Sequence, residues 1–423
     1  MTESFGLGLS PEILALGKRA EAAVAPIFER IDRIAAANTE KVLEAFRTFR
    51  VSASHLTGTT GYGYDDRGRD DLDRIFARVF GAEAALVRQQ FVNGTHALTT
   101  CMFGILRPGD VLLSAVGAPY DTLQTAIGLT GTASGSLMDF GIRYAQTEPA
   151  EGGPDLEAIA AAAADPAVRM VWLQRSRGYS DRPALTPEQL GTIAELVHRV
   201  NPRAVVMVDN CYGEFTRTVE PTQLGADLMA GSLIKNPGGG LAPVGGYIAG
   251  RRELVEQCAG RLTVPGIGGE VGASLDTNRL LYQGFFTAPH TTAQAMKTAV
   301  FCAKMTELMG IAHSPAADED RSDIVQTVSF GSVAGLERFC LGIQKGAPVD
   351  SYVTPEAWDM PGYADPVIMA AGAFVQGASI ELSCDGPMRP PYTAYLQGGL
   401  TWESGRLGIL LALDEVRKGE DRL

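Results

Sequence analysis

The hydrophobic residues of this chain form short continuous runs that alternate with segments of helical periodicity. The runs are four or five apolar or small residues long and lie at 84–87, 111–114, 170–173, 204–208 and 228–232. Such runs are typical of strands buried on both faces of a parallel sheet. The alternation predicts an α/β domain, placed at residues 55–281, in which helices cover both faces of a mostly parallel sheet.

The two flanking segments have different patterns. Residues 1–54 carry apolar positions at helical spacing and predict a helical arm. In residues 282–423, a helical segment at 291–309 is followed by β-branched or alternating runs at 324–330 and 378–383, which predict strands. We therefore expect a smaller α+β domain at the C-terminal end.

Composition and charge narrow the classes of function. The net charge of -13 over 423 residues argues against nucleic acid or an anionic membrane as a partner. We find no secretion signal and no run of about 18 apolar residues, so neither export nor membrane insertion is expected. The six cysteines and five histidines show no metal-ligand spacing. These features predict a cytoplasmic protein with reduced cysteines and no metal.

Two charged residues follow neighbouring predicted strands. Asp209 comes directly after the run 204–208, and Lys235 comes three residues after the run 228–232. Parallel strands share a carboxyl edge, where open α/β folds bind ligands. A lysine by itself is most often a solvated surface residue. Beside an aspartate at this edge, however, it suits pyridoxal phosphate: the amine forms a Schiff base, and the carboxylate pairs with the protonated pyridine nitrogen.

The residues around this pair resemble a known family. The chain reads Asp-Asn-Cys-Tyr at 209–212, Leu-Gly-Ala-Asp-Leu at 224–228 and Gly-Ser-Leu-Ile-Lys at 231–235, which is similar to the Cys/Met-metabolism enzymes of fold type I. The sequence at 236–243 most resembles their methionine gamma-lyase-like branch, often labelled aluminium-resistance proteins. The likeness covers about residues 61–400. It implies the aspartate aminotransferase fold, pyridoxal phosphate as cofactor, and a homodimer or homotetramer with shared active sites.

A phosphate site is predicted at the start of an apolar helix. Asn93, Gly94 and Thr95 follow a predicted strand, and backbone N–H groups at such a helix start bind phosphate. The alternative is an ordinary helix end capped by Asn93. The resemblance implies a phosphate cup containing Gly94, Thr95 and Ser232. Related proteins commonly have serine where this chain has Asn93, which we keep as a further candidate.

Two other loops at this edge are candidates for cofactor contacts. The resemblance implies that Tyr120, after the run 111–114, stacks on the cofactor ring and takes part in catalysis. The alternative is a turn tyrosine that packs on the surface. The resemblance also implies a polar contact to the cofactor 3-hydroxyl from the loop after 170–173, for which Ser176 and Arg177 are candidates.

A glycine-rich loop at 61–69 precedes an amphipathic helix. The resemblance implies that a tyrosine and an arginine of this loop reach the phosphate of a neighbouring subunit, which requires at least a dimer. Tyr64 matches the tyrosine. Asp66 stands at the expected arginine position, so Arg69 or Arg67 would substitute. The alternative is a solvated charged turn.

An amino-acid substrate needs a group that binds its carboxylate, and a bidentate arginine does this well. Arg389 lies in a proline-framed loop after a predicted strand and is the favoured candidate. Arg406 is the competitor, and either residue could instead form a structural ion pair.

The expected reaction uses Lys235 as the base at the substrate Cα, and burial together with the cationic ring would favour its neutral amine. The resemblance implies a lyase that carries out β- or γ-elimination on an L-amino acid such as methionine, homocysteine or cystathionine, releasing ammonia and a 2-oxo acid. One alternative is elimination or replacement on a non-sulfur, for example halogenated, amino acid. Another is a non-catalytic pyridoxal-phosphate-binding protein of metal tolerance.

Overall fold

The computed structural model describes residues 6–131, 134–151, 153–180, 182–360 and 365–420. Its α-helices are α1 (Pro11–Thr48), α2 (Arg67–Phe80), α3 (Gly94–Ile105), α4 (Asp121–Ile127), α5 (Leu156–Ala163), α6 (Pro187–Val200), α7 (Arg252–Leu262), α8 (Asn278–Met309), α9 (Val333–Lys345) and α10 (Trp402–Glu420). Its strands are β1 (Ala84–Arg88), β2 (Val111–Ser114), β3 (Arg143–Gln146), β4 (Val168–Gln174), β5 (Val205–Asp209), β6 (Leu228–Ser232), β7 (Gly246–Gly250), β8 (Ala312–Ser314), β9 (Gln326–Ser329), β10 (Val367–Ala370), β11 (Ser383–Pro387) and β12 (Thr393–Gln397).

The chain forms two compact units. The large unit is Ala37–Pro289, and the small unit combines residues up to Ala36 with those from His290 onward. The division falls inside α1 and α8. The domain boundaries expected from the sequence remain predictions. None of the helices in the described residues is long and apolar enough to cross a membrane.

The large unit contains a seven-stranded sheet with the order β1-β7-β6-β5-β4-β2-β3. Strands β6, β5, β4, β2 and β3 run parallel, and β7 is antiparallel to both β6 and β1. The sheet is therefore mixed. In its parallel part, β2, β4, β5 and β6 match runs identified in the sequence, whereas β3 does not.

Strand β5 explains how the layers form. All five of its residues are buried. Val206 and Val208 belong to the apolar cluster that includes residues of α2, α5 and α6, whereas Met207 belongs to the cluster that includes residues of α3 and α7. Full burial of one such side chain contributes about 1.5–3 kcal/mol. Helices thus cover both faces, as predicted, and the carboxyl edge is left for a site.

The small unit contains a five-stranded antiparallel sheet with the order β10-β11-β12-β9-β8. Its apolar core includes side chains of α9 and α10, such as Phe339 and Leu410. A sheet with helices packed on it agrees with the expected α+β class.

The predicted strand at 378–383 is wrong, because β11 begins only at Ser383. The backbone N–H groups of Ala378 and Glu381 are used in turn hydrogen bonds to Val375 and Ala378, so they are not available for a ladder. The strand expected at 324–330 is shorter, since the Val325 N–H bonds to the Asp323 carboxylate and β9 starts at Gln326.

Candidate active site

Asp209 and Lys235 lie at the carboxyl edge of the large-unit sheet. Asp209 ends β5, is 6% exposed, and accepts a hydrogen bond on Oδ1 from the Cys211 N–H at 3.1 Å. Lys235 follows the end of the neighbouring parallel strand β6 by three residues. Burial raises the pKa of Asp209, and the charge of Lys235 opposes that rise. The two side chains are therefore close enough for the charge of Lys235 to act on the carboxyl of Asp209.

The groups around Lys235 shift the pKa of its amine in opposite directions. Burial lowers the pKa of this amine, but Tyr212, Cys211 and Asp209 together raise it above its usual value. Burial thus acts in the predicted direction, and the neutral amine expected beside the cationic ring stays a prediction. The neighbouring groups favour the charged form by more than desolvation disfavours it.

The residues of the predicted phosphate cup come from two elements that lie side by side. A Cβ added to Gly94, the first residue of α3, would lie 3.0 Å from the Ser232 Cβ and 3.6 Å from the Cys211 Sγ. Thr95 Oγ1 lies 3.3 Å from Thr122 Oγ1. Asn93 is exposed and caps the helix, since its Oδ1 accepts the His96 N–H at 2.9 Å. Gly94, Ser232 and Cys211 thus lie close together at the start of α3. A side chain at position 94 would occupy the space that the glycine leaves open there.

Tyr120, the residue before α4, is hydrogen-bonded to the last residue of β4. Its N–H donates to Gln174 Oε1 at 2.9 Å, and Gln174 stands opposite Asp209 in the strand register. The Tyr120 ring centroid is 5.8 Å from that of Tyr179. Tyr120 therefore lies at the same sheet edge as Asp209, while its stacking role remains a prediction.

The loop after β4 places charge near Asp209. Ser176 and Arg177 are both buried. The Ser176 carbonyl accepts hydrogen bonds from Gln174 Nε2 at 3.2 Å and from Arg182 Nη2 at 2.7 Å. The charge of Arg182 lowers the pKa of Asp209. The sequence did not single out Arg182, which lies outside any apolar run.

The 61–69 loop uses its arginines differently. Arg69 is buried, and its guanidinium donates to the carbonyls of Gly63, Gly272 and Glu270 and to Asp70. Arg67 is exposed and lies 3.5 Å from Asp71. Tyr64 is 61% exposed. Arg69 therefore fixes this loop, and the predicted contact to a neighbouring subunit's phosphate stays a prediction.

The candidate arginines for the substrate carboxylate belong to the small unit. Arg389 is half exposed, two residues beyond β11, and its Nη1 lies 2.9 Å from Asp365 Oδ2. Arg406 pairs with Glu21. Both residues form ion pairs, which was the alternative to a substrate contact for each.

A buried polar network surrounds the turn after Asp209, and sequence reasoning missed it. Arg175 Nη1 donates to Asn210 Oδ1 at 2.8 Å and to Glu220 Oε2 at 2.9 Å. The Tyr247 hydroxyl accepts from Asn210 Nδ2 at 3.2 Å and donates to Glu214 Oε1 at 2.7 Å. All five side chains are buried. These five residues are spread along the sequence, so no local motif predicts the network. The sequence shows only polar residues within an otherwise apolar region.

Within this network, Glu214 is fully buried. Burial raises the pKa of Glu214 to about 8, so the carboxyl is mostly protonated at neutral pH. In the described residues, its Oε2 has no hydrogen-bond partner.

Across the part of the chain that the structure describes, we find no group of three or more His, Cys, Asp or Glu side chains that could hold a metal.

Comparisons with known proteins place the chain in a family. The family model for methionine gamma-lyase matches residues 13–417. YnbB of Bacillus subtilis (strain 168) is 49% identical over 398 residues, which are 94% of either chain. The carbon-sulfur lyase involved in aluminum resistance from Clostridium novyi NT has a TM-score of 0.94 at 48% identity, over 98% of this chain and 99% of its own. The pyridoxal-5'-phosphate-dependent protein YhfS from Escherichia coli has a TM-score of 0.61 at 16% identity, over 93% of this chain and 97% of its own.

These comparisons confirm the fold type I architecture and the resemblance drawn from the sequence. The residues also fit pyridoxal phosphate, because a buried carboxylate, a lysine and a glycine-lined helix start share one sheet edge. The chain belongs to the methionine gamma-lyase family of pyridoxal-phosphate-dependent enzymes.

Proposed function

We propose that this protein is a carbon-sulfur lyase that removes a β or γ substituent from an L-amino acid and releases ammonia and a 2-oxo acid. The observation that carries the proposal is the pair of buried Asp209 and partly buried Lys235 at the carboxyl edge of the sheet. The family match and the name of the Clostridium novyi relative support carbon–sulfur bonds as the target.

Pyridoxal phosphate, when bound, supplies an electron sink for cleavage of bonds at the substrate Cα. Asp209 would pair with the protonated pyridine nitrogen, whose positive charge would favour the ionised carboxylate against the effect of burial. Lys235 would hold the cofactor and, once released, accept the Cα proton on Nζ. Both tasks need groups that are fixed in place: Asp209 is the last residue of buried strand β5, and Lys235 lies three residues beyond buried strand β6.

The phosphate would be bound at the start of α3, by the backbone there and the hydroxyls of Thr95 and Ser232. Tyr120 would cover the cofactor ring, and Ser176 would approach the 3-hydroxyl. Arg389 would release its ion-pair partner Asp365 and bind the substrate carboxylate instead. Asn93 caps α3, and it would act on the phosphate only by ordering that helix start.

We also propose a dimeric or tetrameric enzyme of the cytoplasm, in which Tyr64 and an arginine of the 61–69 loop act on a neighbouring subunit's site. Arg67 is better suited than Arg69, because the Arg69 donors are used within its own chain. The six cysteines are buried free thiols, as in proteins of a reducing compartment. The net charge of -13 favours a small-molecule substrate over nucleic acid or an anionic membrane.

The test is a mass-spectrometric assay for 2-oxo acids with purified protein, added pyridoxal phosphate, and methionine, homocysteine, cystathionine, cysteine and γ-halogenated amino acids. Release of 2-oxobutyrate would establish γ-elimination, and pyruvate from cysteine would establish β-elimination. Lys235→Arg should abolish release, and Asp209→Asn should reduce it about 100- to 1,000-fold. Asp227→Asn is the control, since Asp227 is buried and accepts hydrogen bonds from His198, Arg251 and the Val206 N–H, none of which is a candidate site residue. Product only from halogenated substrates would point to the non-sulfur alternative, and no product would overturn the proposal.

A further inference from the structure

The ring of Tyr212 lies against the amine of Lys235. The Lys235 Nζ is 3.9 Å from the centroid of the Tyr212 ring. An ammonium over an aromatic face is attracted by the negative electron density of that face, and the attraction strengthens when water is excluded. A neutral amine gains much less. The contact therefore favours one protonation state of Lys235 over the other.

The backbone holds this ring in place at a conformational cost. Tyr212 has φ of 71°, in the left-handed region that bulky residues rarely adopt. Asn236 stabilises that conformation, because its Nδ2 donates to the Tyr212 carbonyl at 3.0 Å and to the Glu214 carbonyl at 2.9 Å. Asn236 is fully buried and directly follows Lys235. The loop that carries the lysine thus also fixes the turn that carries the ring.

We propose that Tyr212 is a catalytic residue whose ring face binds the protonated Nζ of Lys235, and that Asn236 is a positioning residue that holds the ring there. The inference rests on the proposed role of Lys235 as the base. When Nζ takes the Cα proton, its lone pair forms the new N–H bond, and the electrons of the broken C–H bond stay with the substrate and its cofactor. The positive charge then develops on Nζ beside the ring, so the ring stabilises the product of this step more than its reactant.

Three groups besides the ring face act on Lys235: the Tyr212 hydroxyl, which Tyr212→Phe removes, and the side chains of Asp209 and Cys211. Asp209 lies at the end of β5 and Cys211 in the turn that follows, and both act on the amine. Burial raises the pKa of the Cys211 thiol well above its usual value, and Cys211 is unchanged in variants of Tyr212. Asp209 is unchanged in variants of Tyr212. A change in the titration of Lys235 in those variants therefore reports on the tyrosine.

The small number of lysines makes a direct measurement practical. The chain has seven lysines, at positions 18, 41, 235, 297, 304, 345 and 418. We would label the full-length chain with a carbon isotope at lysine Cε, prepare it without cofactor, and follow the signals by NMR as a function of pH. Lys235→Arg assigns the signal of Lys235. Tyr212→Phe retains the ring face, and Tyr212→Leu removes it.

We expect the titration midpoint of Lys235 to be kept in Tyr212→Phe and to fall by about one pH unit in Tyr212→Leu. The other six signals serve as internal controls for folding. If Tyr212→Leu does not fold, Asn236→Ala tests the same arrangement and should shift the midpoint in the same direction. An unchanged midpoint in the folded variants, or an equal fall in Tyr212→Phe, would overturn the inference. Because neither substrate nor cofactor is present, failure of the lyase assay would leave this measurement unaffected.

Discussion

Arg175 and Glu220 form an ion pair whose side chains are only 0% and 5% exposed, with Nη1 and Oε2 separated by 2.9 Å. The pair is linked to Asp209 in two ways. The Arg175 N–H donates to the Asp209 carbonyl at 3.0 Å, and the guanidinium bonds to Asn210. The candidate catalytic carboxylate therefore lies on backbone that a buried charge pair holds in position.

Removing one partner of this pair should be costly, because the other charge stays buried without compensation. We expect Glu220→Gln to lower the free energy of unfolding by about 3 kcal/mol or more, measured by urea denaturation. Glu188→Gln is the matched control, since Glu188 is 57% exposed and lies 3.7 Å from Arg217. It should change little. Equal effects in both variants would show that the buried pair has no special role.

Glu214 should make stability depend on pH. Its pKa of about 8 in the folded chain exceeds the ordinary value of 4.5, so the folded state holds a proton that the unfolded state releases between these values. Stability is greatest below pH 4.5 as far as this group is concerned, and it falls as pH rises toward 8. We expect Glu214→Gln, which mimics the protonated acid, to lose that decline when urea midpoints are compared at several pH values. A decline of the same size in both proteins would assign it to other groups.

Space at Gly94 should matter for cofactor binding. An added Cβ would lie 3.0 Å from the Ser232 Cβ, where the strand cannot easily move. We expect Gly94→Ala to weaken pyridoxal phosphate binding about tenfold or more, measured by equilibrium titration. Gly260→Ala is the control, because its nearest neighbour is the Pro265 Cα at 3.7 Å. Unaltered affinity for pyridoxal phosphate in Gly94→Ala would show that the start of α3 is not part of the cofactor site.

The two candidate arginines can be separated by kinetics. Arg389→Lys loses bidentate geometry and should raise KM for the amino acid about tenfold, with a smaller change in kcat. Arg406→Lys should keep its ion pair with Glu21 and leave KM unchanged. The reverse pattern in steady-state assays would assign the substrate carboxylate to Arg406.

The parts of the fold that sequence predicted are those in which burial dictates residue type. Strands β2 and β6 have the predicted bounds, since a strand covered on both faces must be apolar or small throughout. Strand β3 was missed because it is an edge strand with two exposed residues. Strand β7 was missed because glycines stand at both of its ends.

The candidate site was predictable to a similar extent. Asp209 and Lys235 could be paired because Asp209 comes directly after one apolar run and Lys235 three residues after the next, and the two strands share a carboxyl edge. Tyr212 could not be assigned, since its position depends on a left-handed backbone and on Asn236, which is 24 residues away. Likewise Arg175 and Glu220 lie 45 residues apart, and no local pattern links them.

The central claim is that Lys235 is the lysine that bonds pyridoxal phosphate. The most direct measurement is borohydride reduction of the loaded protein, followed by digestion and peptide mass spectrometry. Reduction fixes the cofactor to whichever amine carries it. We expect the pyridoxyl mass on the peptide that contains Lys235 and on none of the peptides with the other six lysines. Labelling of a different lysine, or no labelling at all, would contradict the account.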